Sequence, residues 1–491
     1  MHAQVLLYAI LLHTSDTVIM THVEPSQKSD KSDDLFSFLP LKETLLNNLN
    51  SLGYEVMTPI QAQSLPLMLK NEDVIAQAKT GSGKTAAFGL ALLNQLNVEN
   101  FGTQALVLCP TRELAEQVSQ ALRRLARLMS NVKVLNLSGG SLMKPQLDSL
   151  RHGAHIIVGT PGRILKHLNK GSLSLNKLKQ LVLDEADRML DMGFLDDIKA
   201  IVSACPKQRQ TLLFSATYPD EIKKLSRQFL RNPKEVFIKE SHAELEIEQC
   251  FYEVKNSANK FNLLKALLLH HKPTSTLIFC NTKQQTIQLM DALNDIGFSA
   301  LALNGDMEQA ERDQVLIQFV NQSCSILIAT DVAARGLDIK ELPAVINYEL
   351  AFDHDVHIHR IGRTGRAGHK GLAISLVLPA DIERVALIKE NLTYQLTWGN
   401  LGELSNTNNA AFRPEMTTVC LNVGKKDKIR PGDILGALTK DAGLSADAIG
   451  KINIAPLCSY VAIHQSQVDK AYRYLQDGKL KGRKVNVKKL R

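Results

Sequence analysis

The chain has 491 residues, 44% hydrophobic and 22% charged, which is about three domains at the usual ~150 residues each. This composition excludes a fully disordered chain, a collagen and a disulfide miniprotein, and no apolar run reaches the ~18 residues of a membrane-spanning helix. The net charge is +8, but 15 Lys and Arg against 6 acidic residues lie between Met416 and Arg491, so the first 415 residues are close to neutral. A small, strongly basic terminal module reads as a polyanion binder, with a merely soluble surface as the plainer alternative. The seven cysteines are scattered without a CxxC pair, so neither a zinc site nor a disulfide framework is expected and a reducing cytoplasm fits.

The run Val5 to Leu12 is long enough for a signal-peptide core, but the first basic residue is Lys28 and no A-x-A-like site follows. Export is not expected; residues 1–35 are expected to be an unstructured extension, its first ~19 residues preceding a second start at Met20, with a membrane-surface anchor as the minor alternative. From about Asp73 short β-branched runs alternate with amphipathic stretches. Strands are predicted at Val74–Ala76, Ala105–Leu108, Ile156–Gly159, Leu181–Leu183 and Leu212–Phe214, with a helix over Arg112–Met129. They are continuously apolar, as strands covered on both faces are. The order predicts a doubly wound parallel α/β domain over 36–240.

The first strand runs into Ala78-Lys79-Thr80-Gly81-Ser82-Gly83-Lys84-Thr85, which opens a helical stretch. Small residues there let backbone N–H groups crowd around phosphate oxygens at a helix N-terminus. Lys84 supplies charge for the β- and γ-phosphates and Thr85 a hydroxyl for Mg²⁺. Ala78 replaces the first glycine of the strict pattern. Another strand ends in Asp184-Glu185-Ala186-Asp187. Asp184 suits Mg²⁺ held through water, and Glu185 suits a group that orients and deprotonates water.

The same texture restarts after a polar hinge near Lys239–Glu248. Strands are predicted at Thr276–Phe279, Ala300–Leu303, Ile326–Ala329, Val345–Asn347 and Ala373–Leu376, giving a second α/β domain over 241–400. A polar linker (401–413) leads to the basic module (414–491). There the predicted order is a strand at Thr418–Val423, a helix at Pro431–Leu438, strands at Lys451–Ile454 and Tyr460–Ile463, a helix at Val468–Leu475 and a strand at Lys484–Val487. That β-α-β-β-α-β order is the layout of an RNA-recognition motif.

Taken together, the motifs resemble the DEAD-box family of ATP-dependent RNA helicases over about 330 residues. They continue in order as Pro110-Thr111-Arg112-Glu113, Gly139-Gly140, Thr160-Pro161-Gly162-Arg163, Ser215-Ala216-Thr217, Gln309-x-x-Arg312, Ala329 to Asp338, and His359-Arg360-Ile361-Gly362-Arg363-Thr364-Gly365-Arg366. The resemblance implies two tandem RecA-like domains. It implies that Gln61 reads adenine and Phe36 stacks on it, with Phe38 as a rival. It places Gly336 and Asp338 at the nucleotide and sends Arg363 and Arg366 to the γ-phosphate. It assigns RNA contacts to Pro110, Thr111, Arg112, Gly140, Thr160, Pro161, Gly162, Arg163, Arg312 and Thr330. Ser215, Thr217, His359 and Arg360 would couple hydrolysis to strand separation.

The tail resembles the DbpA-type members of that family through Gly424-Lys425-Lys426, Arg430 to Leu438 and Ile449 to Ile452. This implies binding of a hairpin of 23S ribosomal RNA and work on large-subunit precursor particles. Its third strand keeps one aromatic, Tyr460, so little base stacking is expected on that face. Recognition should rest on Lys425, Lys426, Lys428, Arg430, Lys451, Lys479, Lys481, Arg483 and Lys484. The expected protein is a cytoplasmic monomer that unwinds short RNA duplexes. The alternative is an ATP-gated RNA clamp or chaperone of broader specificity.

Overall fold

Runs of Val, Ile, Leu and Ala between polar turns build a first parallel sheet in a computed structural model that describes residues 35–78, 81–218, 220–238, 247–334, 342–365, 370–390, 396–404 and 411–490. Its strands are β1 (Val74–Gln77), β2 (Ala105–Leu108), β3 (Val134–Leu137), β4 (Ile156–Gly159), β5 (Gln180–Leu183), β6 (Gln210–Ser215) and β7 (Lys234–Phe237), in the order β3-β4-β2-β5-β6-β1-β7. Every residue of β2, β4, β5 and β6 is buried. Helices cover both faces, and each fully buried Leu or Ile contributes roughly 1.5–3 kcal/mol.

The second parallel sheet holds β8 (Ile247–Glu253), β9 (Thr276–Phe279), β10 (Ala300–Leu303), β11 (Ile326–Ala329), β12 (Ala344–Asn347), β13 (Gly371–Val377) and β14 (Thr397–Trp398), in the order β10-β11-β9-β12-β13-β8-β14. The expected fold class is borne out: two tandem RecA-like sheets and a small antiparallel one. The two parallel sheets hold four strands that the sequence pattern does not predict: β3, β7, β8 and β14. The hinge expected near Lys239–Glu248 lies partly outside the described residues, and its end, from Ile247, is the start of β8.

The tail sheet holds β15 (Met416–Leu421), β16 (Ile449–Ile454) and β17 (Ser459–His464). After them come β18 (Lys479–Leu480) and β19 (Arg483–Lys484), which form a separate hairpin, and β20 (Val487–Lys489), which completes the sheet in the order β16-β17-β15-β20. The last strand is thus displaced from the expected Lys484–Val487. Lys484 pairs with Lys479 in the hairpin, and Val485 turns inward to the core.

One face of this sheet is covered by the second domain. Thr418 is fully buried, and its Oγ1 accepts from Asn321 Nδ2 at 3.2 Å and lies 2.6 Å from Ser323 Oγ. Tyr460 is 5% exposed and hydrogen-bonded to Gln314. Phe412, at the end of the expected polar linker, packs edge-on to Phe298 at 5.2 Å. The one aromatic left on the sheet face is therefore not available to a base.

In the second domain, on the helix His354–Ile361, His357 is fully buried. Its Nε2 lies 3.3 Å from Gln249 Oε1, and Nδ1 has no hydrogen-bond partner. Burial, then the charges of Arg360 and His354, push its pKa down to about 4. The folded state therefore refuses a proton that the unfolded chain takes up near the ordinary histidine value. Stability from this residue is whole above about pH 6.5 and is lost progressively as pH falls toward about 4, a loss of about 3 kcal/mol. Urea unfolding at pH 7 and pH 5 checks this. The parent should lose more stability than His357→Gln over that interval, and equal losses reject the assignment.

Candidate nucleotide and RNA sites

The glycine-rich turn is built against the segment that precedes it. Thr58 caps the helix Pro59–Leu69, and its N–H donates to Gln61 Oε1 at 2.9 Å. Thr58 Oγ1 donates to Ser82 O at 2.7 Å and Gln61 Nε2 donates to Gly83 O at 3.1 Å. Gly83 has φ 97°, and a Cβ there would sit 2.5 Å from Gln61 Nε2, so only glycine fits. Gln61 is 2% exposed and holds the turn in place, with one donor and one acceptor position of its amide still unused in these bonds. Lys79 and Thr80 lie outside the described residues.

Phe36 is 2% exposed and meets Tyr54 edge-on, whereas Phe38 is 67% exposed. This corrects the expectation that Phe36 presents a free stacking face. Its ring belongs to the core, and the open ring is its rival.

Lys84, the first residue of the helix Lys84–Gln95, donates from Nζ to Ala78 O at 2.6 Å. Thr85 follows, half-buried. Asp184 sits at the end of β5, 3% exposed, and burial pushes its carboxyl up to about 7 against the pull of Lys84. A buried carboxylate with one lysine nearby is short of positive charge. Among the described residues no cluster of three or more His, Cys, Asp or Glu forms a metal cage. The donors that are present, the Asp184 carboxylate and the Thr85 hydroxyl, are hard oxygens of the kind that suits a hydrated cation such as Mg²⁺.

Glu185 adopts φ 54°, ψ 54°, a left-handed conformation that turns the chain sharply into the helix Ala186–Asp191. Asp187 accepts from the backbone N–H groups of Ala216 at 3.1 Å and Thr217 at 2.9 Å, and from Thr217 Oγ1 at 3.0 Å. Its own N–H donates to Ser215 Oγ at 3.3 Å. Burial pushes the Asp187 carboxyl up, but the two Thr217 bonds, the Arg188 N–H at 3.0 Å and the Arg188 charge outweigh it and hold the group below the ordinary carboxylate range. Asp187 is thus the residue through which Ser215 and Thr217 touch the acidic motif. The motif spelling contained it but gave no role for it.

Across the cleft, Arg188 Nη2 donates to His359 Nδ1 at 3.1 Å. A cavity of about 290 Å³ separates the two walls here, with Thr217 and Arg188 on one side and His359, Arg360 and Arg363 on the other. Arg363 is 7% exposed. Arg366, Gly336 and Asp338 lie outside the described residues. Arg360 departs from its expected coupling role. It is 1% exposed and bonds Asp331 at 2.7 and 2.8 Å, Asn281 at 2.8 Å and Glu349 O at 2.6 Å, all within its own domain. Those bonds make it a scaffold for the second domain.

A second seam lies at the residues expected to meet RNA. Arg112 Nη1 donates to Gln309 Oε1 at 3.0 Å, and Gly140 (φ 76°) lies so close under that guanidinium that a Cβ would collide with it. Arg163 donates to Gln146 Oε1 at 2.7 Å, and burial followed by the Arg112 charge pushes its pKa down. Two guanidiniums crowding one corner suit an anion. Thr111 caps the helix Arg112–Leu125, accepting from Leu114 N at 3.2 Å, while the Thr160 hydroxyl makes no such bond at its own helix. Pro110 and Pro161 are buried, and Gly162 is half-buried. Thr330 Oγ1 accepts from Ala333 N at 3.4 Å.

Arg312 is corrected as an open RNA donor. It is 9% exposed, and its guanidinium bonds Glu113 of the first domain at 3.2 Å, Asn304 O at 3.1 Å and Ala333 O at 3.3 Å. It ties the two domains together. Glu113 had no assigned role, because nothing in sequence spacing joins residues 199 apart.

In the tail, Lys425, Lys428, Ile429, Arg430 and Lys481 line a depression of about 410 Å³. Lys481 is also bound to Asp433 at 2.8 Å, and Arg483 to Asp427 at 2.9 Å. Lys426 and Lys451 are exposed outside it, Lys451 on β16.

Three families match the chain in tandem: DEAD/DEAH box helicase over 58–225, helicase conserved C-terminal domain over 259–368, and DbpA RNA binding domain over 418–489. The ATP-dependent RNA helicase DbpA of Escherichia coli is 53% identical over 446 residues, covering 91% of this chain and 97% of that protein. The protein of the same name from Bacillus subtilis is 37% identical, covering 92% and 99%. The structure of S. cerevisiae Dbp5 bound to RNA and ADP BeF3 superposes with a TM-score of 0.69 at 33% identity, covering 74% of this chain and 95% of that one. Among the described residues no helix is long and apolar enough to cross a membrane. Motifs, paired RecA-like sheets and tail together place the chain in the DbpA-type DEAD-box ATP-dependent RNA helicases.

Proposed function

We propose that this ATP-dependent RNA helicase hydrolyses ATP only when RNA has drawn its two RecA-like domains together, and that its tail directs it to 23S ribosomal RNA during large-subunit assembly. The observation that carries the first part is the double seam. One contact, Arg188 to His359, joins the domains at the nucleotide side. Another, Arg112 and Glu113 to Gln309 and Arg312, joins them at the RNA side. A ligand that favours either seam favours both, and thermodynamic linkage makes the effect reciprocal.

In this reading Lys84 and the backbone amides of the turn bind the triphosphate, and Thr85 and Asp184 hold Mg²⁺, which would neutralise phosphate charge. Glu185 orients water and accepts its proton. Arg363, with Arg366, completes the site from the other domain, an arrangement worth ~10³–10⁵ in rate. Arg112, Arg163 and the small residues around them hold phosphates and 2′-hydroxyls and ignore base identity.

The second part is supported by the DbpA RNA-binding match and by the basic depression of the tail. ATPase stimulation by fragments of large-subunit ribosomal RNA tests it, in the full chain and in a chain ending at Pro414. The cut leaves Phe412 on Phe298. The shortened chain should respond to all RNAs alike while bulk RNA still stimulates it. The same fragment preference in both chains rejects the proposed targeting.

A further inference from the structure

Arg188 lies between two groups of the reaction without belonging to either. It follows the acidic motif directly and stands one helical turn after Glu185. Its Nη1 bonds Glu185 Oε2 at 3.2 Å, with both side chains 7% exposed. Its Nη2 donates to His359 Nδ1 at 3.1 Å, a residue 171 positions away on the other domain. His359 accepts at Nδ1, so its proton is on Nε2.

A guanidinium is a planar fork with donors in fixed directions. Two bonds to partners on opposite sides of a cleft fix both its plane and its position. The left-handed backbone at Glu185 sets where that side chain leaves the chain. Arg188 sets where its tip rests. We infer that Arg188 is a positioning residue that aims the Glu185 carboxylate only once the two domains have met.

With the domains apart, His359 withdraws and Nη2 loses this acceptor. The carboxylate is then tied to a guanidinium anchored at one end. With the domains together, the chain Glu185–Arg188–His359 is continuous from the water-activating group to the motif that carries Arg363. A lysine would keep a charge beside Glu185 but could not span both partners in fixed directions. The inference rests on reading Glu185 as the group that orients water.

The test uses the full chain with ATP and saturating bulk RNA, measuring kcat and KM for ATP. Arg188→Met should lower kcat about 100-fold while KM moves less than about threefold, because what is lost is aim and not affinity. Arg188→Lys and His359→Ala should each lower kcat about tenfold, and the variant carrying Arg188→Met with His359→Ala should be no slower than Arg188→Met alone. Such non-additivity is not expected of two residues that merely support the fold. A double variant as slow as the product of its two single effects overturns the inference, as does a parent-like kcat in Arg188→Met. If Arg188→Met loses its melting transition, Arg188→Lys takes its place in the cycle under the same criterion. Glu185→Gln is run alongside. Parent-like turnover there removes the role of Glu185 and the inference with it. Loss of turnover there together with additive Arg188 and His359 effects removes only the role of Arg188.

Discussion

Glu185→Gln should lower RNA-stimulated ATP hydrolysis by about 10²–10⁴, the range general-base catalysis supplies, and leave nucleotide and RNA binding intact. The substitution keeps size and an acceptor oxygen, so the bond from Arg188 survives. It removes the capacity to take a proton from water. Lys84, Asp184 and the small-residue turn are untouched, so the triphosphate still binds. The variant should therefore accumulate as a closed complex of protein, ATP and RNA that releases slowly. Single-turnover hydrolysis and filter binding on the same preparation separate the two effects. The experiment also decides between the helicase and the ATP-gated clamp. A clamp needs binding but little turnover, so a variant that unwinds many duplexes at the parent rate shows that hydrolysis is not the engine.

The sites were legible in the sequence where local chemistry alone requires a residue type. The glycine-rich turn needs small residues and a lysine whatever surrounds it. The acidic motif needs a buried strand before it, and Leu181–Leu183 is continuously apolar. Strands that break the apolar pattern were missed. β7 buries one residue of four, and β14 has two residues, both exposed. β8 mixes polar with apolar residues, buries three of its seven, and overlaps the expected hinge. The larger misreadings came from tertiary contacts. Arg312 and Glu113 are neighbours only because two domains meet. Tyr460 looked like a remaining stacking platform, but the second domain covers it. Phe36 and Phe38 are two positions apart in one short helical turn, and only packing decides which ring stays open.

Lys425→Glu combined with Arg430→Glu should weaken binding to a ribosomal RNA fragment and leave stimulation of the core by bulk RNA near the parent level. Both side chains are exposed and line the basic depression. The fold beneath is held by other groups: Val423, Ile429 and Ile434 in the core, and Asp433 on the Arg430 backbone N–H at 2.7 Å. What changes is the charge facing the RNA. Each phosphate that is no longer neutralised lowers the log–log salt slope by roughly 0.7 for a single strand. Leaving two phosphates without their cations therefore costs roughly 25-fold in affinity at about 0.1 M salt from counterion release alone, and reversal to glutamate adds repulsion. The salt slope is the sharper readout, because a variant that had only loosened the tail would lose affinity at every salt concentration without a change of slope. A slope equal to the parent's would place the RNA elsewhere on the tail. It could not be on the face of β15 and β17 around Thr418 and Tyr460, which the second domain covers, so Lys451 and Lys426 outside the depression would be the next residues to reverse.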